Sequence, residues 1–176
     1  MTAADFSAGT TERWDPDEAV ERLYATHYRG LVRLAVLLVR DQETAEEVVQ
    51  DSFVAMHGRW RRLREPDKAL AYLRQAVVNR SRSVLRHRGV ESRHAPTLAI
   101  GSVAPDQVAE RLRRTHVLDA LQRLPRRQRE VLVLRYYVDL DEASIAETLG
   151  ISRGAVKSHA SRAAATLRTL LENPHD

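Results

Sequence analysis

Apolar residues in this chain return every three or four positions, segment after segment, and hardly anywhere every second position. Val20, Leu23, Leu31, Leu34 and Leu38 lie on one such line, with His27 among them. Asp15 and Pro16 precede it as a capping side chain and a proline at the first helical position, so a helix is predicted from there to about Val39. Asp41 is placed to cap a second helix with the apolar line Ala45, Val49, Phe53 and Met56. The Arg-rich stretch from Gly58 to Asp67 reads as irregular. A third helix then carries Leu70, Leu73, Val77, Ser81 and Val84 on one side. Strand and turn formers are scarce, with 5% aromatics, 7 Gly and 6 Pro, which argues against a sandwich or barrel. The fold class predicted is all-α.

Gly89 to Pro105 has Pro96, Gly101 and little periodicity, so 91–105 is predicted as a flexible linker between two small helical domains, 15–90 and 106–172, with 1–14 a flexible tail. Beyond the linker, Val108, Leu112, Val117, Leu118, Leu121 and Leu124 mark a fourth helix. Pro125 ends it and helps start another with core residues Val131, Leu132 and Leu134. Two shorter helices follow, near 141–149 and 152–171. This last pair fits a helix-turn-helix: Ala146 is small enough for a close crossing, and Gly150 tolerates a left-handed backbone in the turn. Ile145, Leu149, Ile151 and Val156 fill the space between the helices, and Ser152 caps the second. Arg153, Lys157, Ser158, His159, Ser161 and Arg162 then remain on the open side, where they can reach phosphates and base edges in a major groove. A plain helical hairpin within a bundle is the alternative.

Charge is segregated far more than the net +4 suggests. Residues 1–57 hold 5 basic and 11 acidic side chains, whereas 58–94 hold 11 basic and 3 acidic. So basic a segment favours a phosphate backbone or an acidic protein face. The opposite face of the second helix is acidic, with Glu43, Glu46, Glu47 and Asp51. No Cys is present, which removes disulfides and thiol chemistry and suits a reducing cytoplasm. No signal peptide and no membrane-spanning stretch is legible, so membrane insertion is not expected. Nucleophile elbow, P-loop and dinucleotide fingerprint are missing, and the 7 His lack ligand spacing. An enzyme is not expected, nor a cofactor or metal.

Three stretches together carry a family resemblance. Ala120 to Arg168, ALQRLPRRQREVLVLRYYVDLDEASIAETLGISRGAVKSHASRAAATLR, closely resembles region 4 of sigma-70-type RNA polymerase sigma factors. TAEEVVQDSFVAM, Thr44 to Met56, resembles region 2.2, and AYLRQAVVNRSRSVLRHR, Ala71 to Arg88, resembles regions 2.3 and 2.4. Nothing resembles region 1.1 or region 3, which is the layout of the extracytoplasmic-function group. The resemblance implies a cytoplasmic factor that binds core RNA polymerase and directs promoter-specific initiation, with the beta-prime clamp helices, the beta flap and promoter DNA as partners. Whether an anti-sigma factor also binds is left open.

Carried over by position, the resemblance assigns Glu46, Glu47, Gln50 and Asp51 to polymerase binding. Trp60, Arg61, Arg62, Arg74, Asn79, Arg80, Arg82 and Arg86, with Arg64 and Arg88 nearby, are assigned to recognising and opening the minus-ten element. Trp60 is expected either to stack on an extruded base or to sit in the core. Ser152, Arg153, Lys157, Ser158, His159 and Arg162 are assigned to the minus-35 element. His57, Tyr72, Ser83, His159 and Ala160 depart from residues common in the family. Two other functions fit parts of the pattern: a stand-alone helix-turn-helix regulator, and a helical adaptor with no DNA role.

Overall fold

The first helix is set by its two ends. In the computed structural model, which describes residues 15–63, 65–91 and 105–172, α1 (Pro16–Val39) opens with Pro16 at its first position and Asp17 and Glu18 in the first turn. Asp15 occupies the N-cap but makes no side-chain capping bond, so the preset proline φ and the acidic turn carry the start. α1 stops at Arg40, whose left-handed φ of 61° turns its N–H back onto the Val36 carbonyl. That conformation costs a non-glycine residue roughly 1–2 kcal/mol, and Arg40 is also held by an ion pair with Asp119.

α2 (Gln42–Leu63) begins at once, because Asp41 caps it: Oδ2 accepts from the Thr44 N–H at 2.9 Å and from the Thr44 hydroxyl. Arg88, near the end of α3 (Pro66–Glu91), reaches the same oxygen at 3.2 Å and ties the third helix to the α1–α2 corner. The stretch from Gly58 to Asp67 is not irregular as expected. α2 continues to Leu63 and α3 starts at Pro66, since Phe53, Met56 and Trp60 extend one buried apolar line. Arginine is also a good helix former, so a basic run does not interrupt a helix.

The second half comprises α4 (Pro105–Arg123), α5 (Arg126–Leu132), a π-helical turn at Val133–Tyr137, α6 (Glu142–Leu149) and α7 (Arg153–Glu172). The π turn was not legible as such; it continues α5 and leaves Tyr136 71% exposed. The linker expected at 91–105 and the tail at 1–14 fall almost wholly outside the described residues.

Leu34 of α1, Val49 and Met56 of α2, and Leu73 and Val77 of α3 are fully buried where these three helices meet. The two halves also touch: α3 meets α6, and α1 meets both α4 and the π turn. Val131, Leu134, Ile145 and Leu149 therefore join the α1–α3 residues in one contiguous apolar cluster. Among the described residues, no helix is long and apolar enough to cross a membrane.

The hydrogen bonds from Thr44, with smaller help from Arg88, hold the Asp41 carboxyl below its ordinary range despite partial burial. A carboxyl lowered by folding contributes its full stability above its unfolded pKa of about 3.9, and loses it as pH falls through the lower folded value. Asp41→Ala is therefore expected to cost about 1 kcal/mol at neutral pH. Urea titrations should show the gap to the native chain closing as the pH drops below about 4. A gap constant down to strong acid would contradict this account of the cap.

Candidate functional site

Three surfaces carry the chemistry. On α2, burial of Val48, Val49, Ser52 and Phe53 turns Glu43, Glu47, Gln50 and Asp51 to solvent. Asp51 lies 3.6 Å from Arg80 of α3. Glu46 does not belong fully to this face: it is half-buried, and its carboxylate accepts from the Gln42 amide. Sequence reasoning missed Val54, which is 73% exposed and follows Glu47, Gln50 and Asp51 on one stripe. Its signal was present as an aliphatic residue on the polar side of the helix.

The second surface centres on the exposed side of α3. Asn79 and Arg86 are exposed, and Arg86 donates to the Ser83 hydroxyl at 3.3 Å. On α2, Arg61 and Arg62 are exposed too. Trp60 does not belong here. It is 5% exposed in the core, where Phe53 and Met56 also lie, so its ring has no free face for a base. Arg74 is half-buried, and that burial lowers its pKa. Arg74 in turn faces His27, whose own pKa is lowered first by burial and then by that positive charge, so the imidazole is held toward its neutral form. Arg88 is engaged by Asp41 and Thr44, and Arg64 lies outside the described residues. Arg82 is largely withdrawn: Nε and Nη2 donate to the two carboxylate oxygens of Glu130 at 2.6 and 2.8 Å, and Nη1 donates to Asn79 Oδ1 at 3.1 Å.

The third surface is the helix-turn-helix. Asp141 caps α6 by accepting from the Ser144 N–H at 2.7 Å, which holds its own carboxyl below the ordinary range. Gly150 ends α6 at φ 64°, and Ser152 caps α7 by accepting from the Ala155 N–H at 3.1 Å. Ile145, Leu149 and Val156 are buried between the helices and Ile151 is half-buried, as the spacing required. Arg153, Lys157, Ser158, Ser161 and Arg162 are exposed along α7, with Lys157 3.7 Å from Glu142. His159 departs from expectation: it is half-buried and its Nδ1 is enclosed without a hydrogen-bond partner, so it points away from the open face. Behind this unit runs an apolar groove of about 700 Å³, lined among others by Val117, Leu121, Tyr136, Tyr137, Leu167 and Leu171.

Residues 23–90 match the description Sigma-70 region 2, and residues 114–167 match Sigma-70, region 4. The chain belongs to the sigma-70 family, the factors with which RNA polymerase initiates transcription. Within it, the chain is an extracytoplasmic-function sigma factor by its relatives. It is 34% identical to the RNA polymerase sigma-E factor of Streptomyces avermitilis over 87% of this chain and 85% of that one. It is 35% identical to the ECF RNA polymerase sigma factor SigM of Mycobacterium tuberculosis over 87% and 77%. The solved structure of CnrH in complex with the cytosolic domain of CnrY resembles it with a TM-score of 0.68 at 27% identity, covering 92% of this chain and 97% of that one.

Nothing lies within 4 Å of a side chain added at Gly150, so the only obstacle to substitution there is its backbone conformation. Gly150→Ala is expected to destabilise the helix-turn-helix by roughly 1–2 kcal/mol, and Gly150→Asn by less. Chemical denaturation of the two variants checks the order; equal losses would point to a packing cause instead.

Proposed function

We propose that the acidic stripe of α2 docks this sigma factor on the beta-prime clamp helices of core polymerase, that α7 reads the minus-35 element, and that α3 engages the minus-ten element during opening. The observation that carries the reading is the separation of the three surfaces: an exposed acidic helix face, a basic helix face on the same bundle, and a capped recognition helix on the other. A stripe of Glu47, Gln50 and Asp51 suits a basic coiled coil, and Val54 adds an apolar contact at its end. The groove beside Tyr136 and Leu171 suits an amphipathic helix, which this reading gives to the beta flap. By its likeness to CnrH, solved with a second protein bound, the chain is also expected to take an anti-sigma partner. The factor works in the cytoplasm and performs no bond chemistry; it lends specificity to the polymerase. Domain bounds of 15–90 and 106–172, joined by a linker, are part of the same proposal.

Reversing Glu47 and Asp51 to Lys is expected to weaken association with core enzyme at least about tenfold, because like charges then face a basic partner. Both residues are exposed, so helix content should be unchanged. A folded double variant that still co-purifies with core enzyme at native yield would remove α2 from the interface.

The two DNA surfaces should fail differently. Arg162→Ala or Lys157→Ala removes a contact worth about 1–3 kcal/mol if it reads a base edge, and weakens all sequences alike if it holds a phosphate. Either variant is expected to reduce initial promoter binding, with a pre-opened template restoring little. Asn79→Ala should spare initial binding and impair opening, and a template mismatched across the start region should rescue it. Abortive transcription on duplex and bubble templates separates these outcomes. Rescue of Arg162→Ala but not Asn79→Ala would reverse the assignment.

A further inference from the structure

The start of α6 carries a carboxylate that helix capping does not use. Asp141 is committed to the cap, whereas Glu142, the first residue of the helix, keeps its side chain 24% exposed. Its two oxygens face two cations from different elements. Lys157 Nζ of α7 lies 3.7 Å from Oε2, and Arg135 Nη1 of the π turn lies 3.8 Å from Oε1. Arg135 is also placed by its neighbour, since its guanidinium lies over the Tyr136 ring with Cζ 5.9 Å from the centroid. Burial of Ile145 and Val156 fixes α6 against α7, so the glutamate and the lysine are held within reach of each other.

A carboxylate at this place opposes the ordinary chemistry of a DNA reader. In a helix-turn-helix the first helix crosses the phosphate backbone while the second enters the major groove, and helix N-termini commonly contact phosphates. Glu142 in the first turn of α6 repels a phosphate there. It also attracts the ammonium of Lys157, which is 68% exposed on the open face of α7. A free lysine on that face is a flexible point charge that takes any phosphate within reach, whatever the sequence. An ammonium already beside a carboxylate leaves it only for a better site, and a guanine edge offers two acceptors, O6 and N7. The carboxylate therefore weakens a wrong complex more than a right one. Arg153, one turn before Lys157, interacts with the charge of Asp141, which extends the same acidic edge.

We propose that Glu142 is a specificity-determining residue of the recognition unit. By pairing with Lys157 and Arg135 it keeps both cations from phosphates at unmatched sequences, and Lys157 leaves it only for a matching base edge. The proposal rests on the reading of α7 as the element that recognises minus-35 DNA. Glu142 acts through the two cations, so it positions them and reads no base itself.

Two measurements test this. Fluorescence anisotropy of the full chain with a random-sequence duplex, over a range of salt, reads phosphate binding. Glu142→Gln keeps the size of the side chain, so helix content should be unchanged. It is expected to bind this duplex about two- to fivefold tighter at low salt. Its log–log salt slope should steepen by about 0.9 for each cation released to a phosphate. Where Lys157→Ala and Arg135→Ala are already present, Glu142→Gln should leave the slope unaltered. An unchanged slope, or one that steepens equally without the two cations, overturns the pairing.

Selection from a randomised duplex library, by the chain reconstituted with core RNA polymerase, reads selectivity. Glu142→Gln should flatten the preference at the position that Lys157→Ala also flattens, and leave the others sharp. A merely structural role would blur all positions together, and that result counts against the proposal. If Lys157→Ala flattens one position and Glu142→Gln none, the role given to Glu142 is wrong while the reading of α7 stands. If Lys157→Ala flattens none, the proposal falls; if Arg162→Ala flattens none either, the reading of α7 falls with it.

Discussion

Burial of the apolar stripes of α1, α2 and α3 against one another decides which faces of these three helices carry charge at the surface. A helix with one apolar line has only one inside, and its remaining faces are left for partners. Packing Val49, Phe53 and Met56 inward is what gathers Glu47, Gln50 and Asp51 into an acidic stripe. Packing Leu73 and Val77 inward exposes Asn79 and Arg86 on the same bundle. The acidic and basic surfaces are therefore two consequences of one core. They meet where Asp51 approaches Arg80.

The turns between helices are set by local chemistry that needs no distant partner. Asp41, Asp141 and Ser152 each satisfy a backbone N–H three residues on, and Gly150 supplies the left-handed step. These features were legible in the sequence because a cap or a turn is decided within a few residues. The same holds for the apolar lines, which fixed an all-helical fold and most helix ends. The region from Gly58 to Asp67 was misread because its arginines hid the continuing line from Met56 to Trp60. The π turn at Val133–Tyr137 inserts a residue into a helical pattern with no proline or glycine to announce it.

What the sequence could not reveal was which polar residues are spent on the fold. Trp60, His159, Glu46, Arg82 and Arg88 all had the right chemistry for a surface role, and each is partly or wholly taken up inside the structure. For Arg82 and Arg88 the partner lies more than forty positions away, at Glu130 and Asp41. No periodicity encodes such a pairing. The exposed set that remains on α7, namely Arg153, Lys157, Ser158 and Arg162, was readable because the helix-turn-helix leaves that face no other neighbour.

The contacts between the two units, the Arg82 guanidinium with the Glu130 carboxylate and Arg129 donating to the Leu38 carbonyl at the end of α1, are made within a single polypeptide. Their strength is therefore measured against an effective concentration, on the order of millimolar for a short covalent tether, and not against the amount of protein in solution. A contact far too weak to hold two separate molecules together can stay formed in such a chain, and dilution does not loosen it. Any partner that draws the units apart must compete with that local concentration. A multi-point binder that grips both units at once gains the same advantage, whereas a ligand touching one unit alone does not.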